Sequence, residues 1–194
     1  MVFEMIVAGM YSIKRGKEVI ESDFAAELDE IRRVVAAVDA TAYRIESGQS
    51  RAGSGAQVYN PEELTQALNA EFEVLQWHRG QILCGYSTRF YAPGYTPLAS
   101  SLNVFREIDL VKHKVGVDIL FDQCASVVYD ICAEMTIFHN MGIVDVGIGI
   151  TPIKAFADNM STGVSYFEQI VWDLEHRGVA DIDIPVLILG VMAG

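Results

Sequence analysis

The chain has 194 residues, of which 51% are hydrophobic and 21% charged, and its formal net charge is −12. This balance predicts one globular domain, residues 1–194, and excludes an intrinsically disordered chain. The negative charge counts against a large nonspecific affinity for nucleic acid, which normally gains from Lys and Arg replacing condensed counterions. No apolar window reaches the length of a membrane span and no secretory leader is recognisable, so we expect a cytoplasmic protein without membrane contact.

The amino-terminal half contains signals for a strand and two helices. The apolar stretch from Val2 to Ile13 predicts a first strand. Ser22 or Asp23 is expected to cap a helix, because apolar residues follow at the spacing of one buried face, namely Phe24, Leu28, Ile31, Val35 and Val38. Asn60 as a cap and Pro61 at the first helical position predict another helix.

Two segments of this half read as loops. Ser47 to Gly55 is rich in glycine and small polar residues, so it predicts a flexible loop that could close over a ligand. Trp77 to Pro97 is irregular and aromatic, with arginines interleaved. Such a mixture can stack on bases, but ordinary packing in a loop-rich β region is the simpler interpretation.

Residues 106–122 carry the clearest strand signal together with two spaced carboxylates. Apolar side chains alternate along the strand and are expected to enter a core, whereas Asp118, Leu120 and Asp122 share the opposite face; the apolar set is Val115, Val117, Ile119 and Phe121. Asp109 precedes this strand. One large class of nucleases gathers oxygen ligands around a divalent cation from such a pair of acids, although carboxylates near strand ends are also often simply solvated.

The carboxyl-terminal half alternates between helix and strand. Apolar spacing predicts a helix from Ala125 to Met141, then a strand from Val144 that ends at Pro152. Its alternating glycines indicate close approach by another backbone. A polar loop leads into a helix from Tyr166 to His176, and Pro185 to Val191 predicts a last strand. Strands interleaved with helices predict an α/β domain with a central mixed sheet flanked by helices.

These segments resemble, colinearly and over most of the chain, the BglII and BstYI group of type II restriction endonucleases, most closely the BstYI kind. The resemblance covers both the predicted helices and the strand with the two carboxylates. It is carried by Glu30 to Val35, Val38-Asp39-Ala40, Tyr59-Asn60-Pro61, Asp109-Leu110-Val111-Lys112, Val117 to Phe121, Val144 to Ile148, Pro152-Ile153-Lys154 and Met160 to Glu168.

The resemblance implies a restriction-endonuclease-like core of the PD-(D/E)xK kind. It also implies a homodimer around double-stranded DNA and Mg²⁺-dependent cleavage of a palindrome with a GATC core. By motif position, Asp109 and Asp118 are the metal-binding acids of the catalytic site. Ser161, Thr162 and Ser165 lie in the segment that approaches the major groove in such enzymes, where hydroxyls can bond base edges.

The catalytic triplet departs from the family pattern at two positions. Asp118 stands where the family has glutamate, and Leu120, the third catalytic position, stands where it has glutamine. Asp118 is one methylene shorter, and Leu120 cannot coordinate a cation or orient water. Two hypotheses therefore stay open. The chain is either a Mg²⁺-dependent deoxyribonuclease in which another residue supplies the missing contact, or an inactive member that serves as a dimeric DNA- or protein-binding scaffold.

Overall fold

The computed structural model describes residues 4–46, 56–98, 103–121, 128–160 and 164–194. Within these ranges the strands are β1 Met5–Ile13, β2 Arg44–Glu46, β3 Gln57–Tyr59, β4 His78–Gly85, β5 Asn103–Lys112, β6 Val115–Ile119, β7 Val146–Pro152 and β8 Val186–Ala193. The helices are α1 Gly16–Asp23, α2 Ala25–Ala37, α3 Pro61–Val74, α4 Met135–Asn140, α5 Lys154–Ala157 and α6 Phe167–Arg177. A π-helical turn, Asp130–Glu134, leads into α4.

The main sheet of the described residues has the strand order β1-β8-β7-β6-β5-β4, and β2 pairs with β3 separately. β6, β7 and β8 run parallel to one another, whereas β1, β4 and β5 pair in antiparallel fashion. This mixed sheet flanked by helices confirms the predicted α/β class. Among the described residues, no helix combines the length and apolar character that a bilayer crossing requires.

Apolar side chains cover both faces of the central strand β6. Val115, Val117, Ile119 and Phe121 enter a first core layer, together with residues of α2 and α3, which confirms the predicted core-facing set. Leu120 belongs to a second core layer on the opposite face, together with Ile131, Met135 and Phe138 of the helical segment 128–140. A strand covered on both faces is typical of the interior of a sheet with parallel neighbours.

Glycines in β7 let the helical segment lie close to the second face of the sheet. A Cβ added at Gly147 would come within 2.3 Å of Met135 Sδ, and one added at Gly149 would lie 3.0 Å from Leu120 Cδ1. The close approach that these glycines predicted therefore involves side chains rather than another backbone. It brings the π-helical turn next to β6.

The amino-terminal helices differ from the prediction. A separate helix α1 occupies Gly16–Asp23, and α2 begins after Phe24 without a side-chain cap, so the predicted cap at Ser22 or Asp23 is wrong. Gly16 permits the early start because a Cβ there would lie 2.1 Å from the backbone oxygen of Val186 in β8. The predicted cap of α3 is confirmed, since Asn60 Oδ1 accepts bonds from the N–H groups of Glu62 and Glu63.

Candidate active site

A tight hairpin, rather than one continuous strand, places Asp109 near Asp118. β5 turns into β6 through His113 and Lys114, which both have positive φ angles. The ladder pairs Leu110 with Val117, so Asp109 and Asp118 stand at the next step toward the open end of the hairpin. β5 also carries a bulge at this point, because its register with β4 shifts by one residue between the His78 and Gly80 pairs. Bulges commonly re-aim side chains next to active sites.

Each of the two carboxylates accepts a hydrogen bond from the backbone of the strand that carries the other. Asp109 N donates to Asp118 Oδ1 at 3.2 Å, and Ile119 N donates to Asp109 Oδ2 at 3.0 Å. Side-chain oxygens thus occupy places that backbone carbonyls fill in a regular ladder. These two bonds hold the acids side by side, and β6 stays fixed on its other side, where Leu120 N donates to Ile150 O at 2.7 Å.

Asp118 is a buried carboxylate, and one of its two oxygens accepts no hydrogen bond from the described residues. Its side chain is 7% exposed, and Oδ2 has no hydrogen-bond partner among the described residues. Burial raises the pKa of Asp118 well above its ordinary value, and the charges of Asp109, Glu134 and Asp130 raise it further against the bond from the Asp109 backbone. A buried oxygen that lacks a donor is costly, so a cation beside it would be strongly favoured.

Leu120 does not face an open cleft. It is 4% exposed and packs in the second core layer, where its side chain and that of Ile131 both lie over Gly149. The third position of the catalytic triplet therefore forms an apolar wall on which the helical segment rests. A glutamine at this position would bury an amide in that layer.

Three further acids, which the sequence analysis did not single out, surround the pair. A cavity of about 140 Å³ is lined by Glu107, Asp109, Asp118, Asp130 and Glu134, with Ile119 and Leu120 as its apolar part; we call it the acidic cavity. Asp130 and Glu134 lie four residues apart and off the apolar stripe of their helix. The four-residue spacing shows from sequence that Asp130 and Glu134 share one side of a helix. It does not show that this side faces Asp109 and Asp118, because that depends on how the helix packs on the sheet.

The acids of the acidic cavity differ in their partners. Glu107 accepts bonds from Arg79 at 3.0 Å and Gln81 at 2.7 Å, so its carboxylate is engaged along the exposed side of the sheet. Glu134 lies 4.0 Å from Arg106, and its side chain is largely buried. Burial raises the pKa of Glu134, and the neighbouring charge of Asp130 acts in the same direction, against Arg106.

The site fits a magnesium ion that is held by two carboxylates and otherwise by water and phosphate. Within the described ranges, no three His, Cys, Asp or Glu side chains lie close enough together to hold a metal ion directly. Mg²⁺, however, is usually bound through one or two carboxylates plus water and substrate phosphate rather than by a full protein cage. Asp109 and Asp118, with the unpartnered Oδ2 of Asp118, match that requirement.

The structure describes one of the three residues predicted to contact DNA. Ser161 and Thr162 lie outside the described residues. Ser165 is fully buried just before α6, and its Oγ has no hydrogen-bond partner within the described part of the chain. The segment leading to them is anchored by the bond from Tyr59 N to Asn159 O at 2.8 Å. The structure does not bring Ser165 into the acidic cavity, so its DNA contact stays a prediction.

Comparison with known proteins identifies the family of the chain and solved structures with a similar fold. The family model described as restriction endonuclease BglII/BglIII matches residues 8–191. The structure of restriction endonuclease BglII complexed with a DNA 16-mer is similar at a TM-score of 0.70 and 17% sequence identity, covering 96% of this chain and 76% of that chain. Free BglII is similar at a TM-score of 0.54 and 15% identity, covering 94% and 77%. No curated protein matches the chain. These similarities confirm the predicted restriction-endonuclease-like fold.

Proposed function

We propose, since the chain belongs to the BglII/BglIII family of restriction endonucleases, that it binds double-stranded DNA and hydrolyses its phosphodiester bonds with Mg²⁺. The observation that carries this proposal is the cross-bonded pair of Asp109 and Asp118 at the open end of the β5–β6 hairpin. The pair faces a small acidic cavity, and Asp118 Oδ2 there has no hydrogen-bond partner among the described residues, which suits a divalent cation.

Asp109 and Asp118 would hold the cation, with Leu120 as an apolar wall beside them. When bound, Mg²⁺ would supply positive charge to the scissile phosphate and activate the attacking water. The protein's own part is to fix the two carboxylates through backbone bonds and to keep bulk water from their buried side. Asp118 is short, so we expect Mn²⁺, whose coordination is more tolerant, to support more activity than Mg²⁺.

The acidic cavity also bears on how DNA would bind. Its carboxylates repel phosphate, and the chain as a whole carries a net charge of −12. We therefore expect DNA binding to need the divalent cation rather than merely tolerate it. A bound divalent cation would offset two of the negative charges of the cavity and so weaken this repulsion.

The finer elements of the proposal come from the family. We propose a homodimer acting in the cytoplasm on a palindrome with a GATC core, because a two-fold protein presents the same surface to two equivalent half-sites. Ser161, Thr162 and Ser165 are the proposed base-reading residues. Ser165 can serve only if the segment before α6 rearranges on binding, since its hydroxyl is buried in the free chain.

The test is cleavage of a duplex that carries a central GATC palindrome, compared with a matched duplex in which the centre is changed to CTAG. The chain should cut the first with Mn²⁺ or Mg²⁺ and leave the second intact. Asp109→Asn should abolish cutting without unfolding the chain, because the amide keeps the size of the side chain but loses the charge. Sedimentation should show a dimer.

Two outcomes would count against this function. Cutting that survives Asp109→Asn would place the chemistry elsewhere. Cation-independent DNA binding without any cutting would favour the dimeric scaffold, and Leu120 would then mark a site that no longer works.

A further inference from the structure

The π-helical turn Asp130–Glu134 brings two carboxylates to the catalytic strand from outside the sheet. Asp130 and Glu134 line the acidic cavity together with Asp109 and Asp118. π-Helical turns are rare and occur frequently at functional sites, because the extra residue re-aims the side chains of one turn. The sheet alone supplies three strand acids, Glu107, Asp109 and Asp118, and the first of these is already engaged by Arg79 and Gln81.

The packing explains why the helical acids are near the cavity. Leu120 and Ile131 both lie over Gly149, and Met135 fills the space above Gly147. These contacts seat the helical segment directly on the catalytic strand and its parallel neighbour. An apolar residue at position 120 is therefore the contact that allows Asp130 and Glu134 to reach Asp118.

An independent observation shows that this cavity lacks a partner group. Asp118 is more than nine-tenths buried and lines the cavity, and its Oδ2 has no hydrogen-bond partner within the described residues. Glu134 has a cation, Arg106, at 4.0 Å, which is too far for a hydrogen bond. Glu134 is thus held near the cavity without being closely paired.

We propose that Glu134, assisted by Asp130, is a third acidic residue of the cation site and replaces from the helix the polar residue that the strand lacks at position 120. This inference rests on the proposed function. Because no three acids among the described residues are close enough for direct coordination, Glu134 acts through the waters that Mg²⁺ characteristically retains. It positions the hydrated cation against Asp109 and Asp118.

The experiment measures Mn²⁺ affinity of the full-length, metal-free chain by electron paramagnetic resonance of free Mn²⁺. Glu134→Gln should weaken binding by about 10-fold or more, the effect typical of removing a residue that orients a metal site from outside its direct ligands. Glu134→Asp should recover part of the loss. Circular dichroism of each variant shows that the fold is kept.

Glu107→Gln is the matched control. It removes the same charge from the same cavity, but the Glu107 carboxylate is already engaged by Arg79 and Gln81. We expect a much smaller loss of Mn²⁺ affinity than for Glu134→Gln. An equal loss in both variants would show a general charge effect and overturn the inference.

The outcomes separate this inference from the proposed function. If wild type binds Mn²⁺, Asp109→Asn abolishes binding and Glu134→Gln leaves it unchanged, the inference is overturned while the proposed function stands. If wild type neither binds Mn²⁺ nor cuts DNA, both are overturned.

Discussion

Two carboxylates, the partly buried Glu30 and the buried Asp118, flank the β5–β6 hairpin in opposite electrostatic settings. Glu30 of α2 accepts bonds from Lys112 Nζ at 2.7 and 2.9 Å and from Trp77 Nε1 at 2.8 Å. Burial alone would raise the pKa of Glu30, but the bonds from Lys112 and Trp77 outweigh it and lower that pKa. Asp118, on the other side of the hairpin, has its pKa raised by burial and by neighbouring acids.

The charged neighbours of each acid distinguish a structural carboxylate from a candidate metal ligand. Glu30 has its cation built into the chain, since Lys112 belongs to the same strand as Asp109. Asp118 is more deeply buried than Glu30, and the nearby charged groups that influence it are all acids. A partly buried acid bonded to its own lysine already has its counter-charge, whereas a buried acid among acids gains most from an added cation.

Breaking the Glu30 pair should give the largest change in stability. Lys112→Met keeps the apolar stem but removes both charged hydrogen bonds to the partly buried Glu30 carboxylate, so we expect a loss of about 3 kcal/mol in the free energy of unfolding at neutral pH. The loss should shrink in acid, because the pair stabilises the fold only above the unfolded pKa and its contribution disappears as pH falls through the lowered folded pKa. Urea unfolding at several pH values measures both.

The matched control for this pair is Glu30→Gln combined with Lys112→Met. The double variant should be more stable than Lys112→Met alone, because it no longer buries an unpaired charge. Equal stability of the two variants would mean that Glu30 is solvated and that the contrast with Asp118 fails.

The wall beside Asp118 should tolerate an apolar exchange but not a polar one. Leu120→Gln should cost about 2–3 kcal/mol, because it buries an amide in the second core layer, whereas Leu120→Met should cost about 1 kcal/mol. Thermal unfolding of the two variants tests this. A fully stable Leu120→Gln would show that position 120 faces water, as an open family-like site would.

Much of this side of the molecule was predictable from local pattern. The alternation of Val115, Val117, Ile119 and Phe121 fixed one face of β6, and Asn60 with Pro61 fixed the start of α3. The pairing of Asp109 with Asp118 needed only the family motif. These features are local because each depends on the two-residue period of a strand or on the first turn of a helix.

The rest depended on tertiary placement. The strand β4 was hidden in an irregular aromatic segment, where Gly80 interrupts the pattern to make room for Ile108. The sequence identified Leu120 only as a position without a ligand, and the structure shows that it is a packing residue. Glu134 joins the site only because α4 sits on the glycines of β7, a contact that no spacing within one segment encodes.

Removing the charge of Asp118 should stabilise the free protein. Its folded pKa is raised, so between the unfolded value and the folded value the native state holds a proton that the unfolded chain has lost, and stability falls as pH rises through that window. Asp118→Asn should therefore gain about 1–2 kcal/mol above the window and gain little at about pH 3, below it. Urea unfolding at both pH values measures the gain, and a gain independent of pH would contradict this electrostatic origin.

A variant without any change of charge provides the control for the pH effects at Glu30 and Asp118. Asn60→Ala removes the cap of α3 and should cost about 1 kcal/mol. No titration is involved, so the variant should lower the curve of stability against pH without changing its shape. A changed shape would show that the pH effects at Glu30 and Asp118 are not specific to those carboxylates.

Anomalous diffraction from crystals of the chain soaked in Mn²⁺ tests most directly whether Asp109 and Asp118 hold the cation. We expect one strong peak at coordination distance, about 2.1 Å, from Asp118 Oδ2 and from the Asp109 carboxylate, on the side that faces Glu134. If a chain that cuts DNA shows its Mn²⁺ peak away from this pair, Asp109 and Asp118 are not the metal ligands.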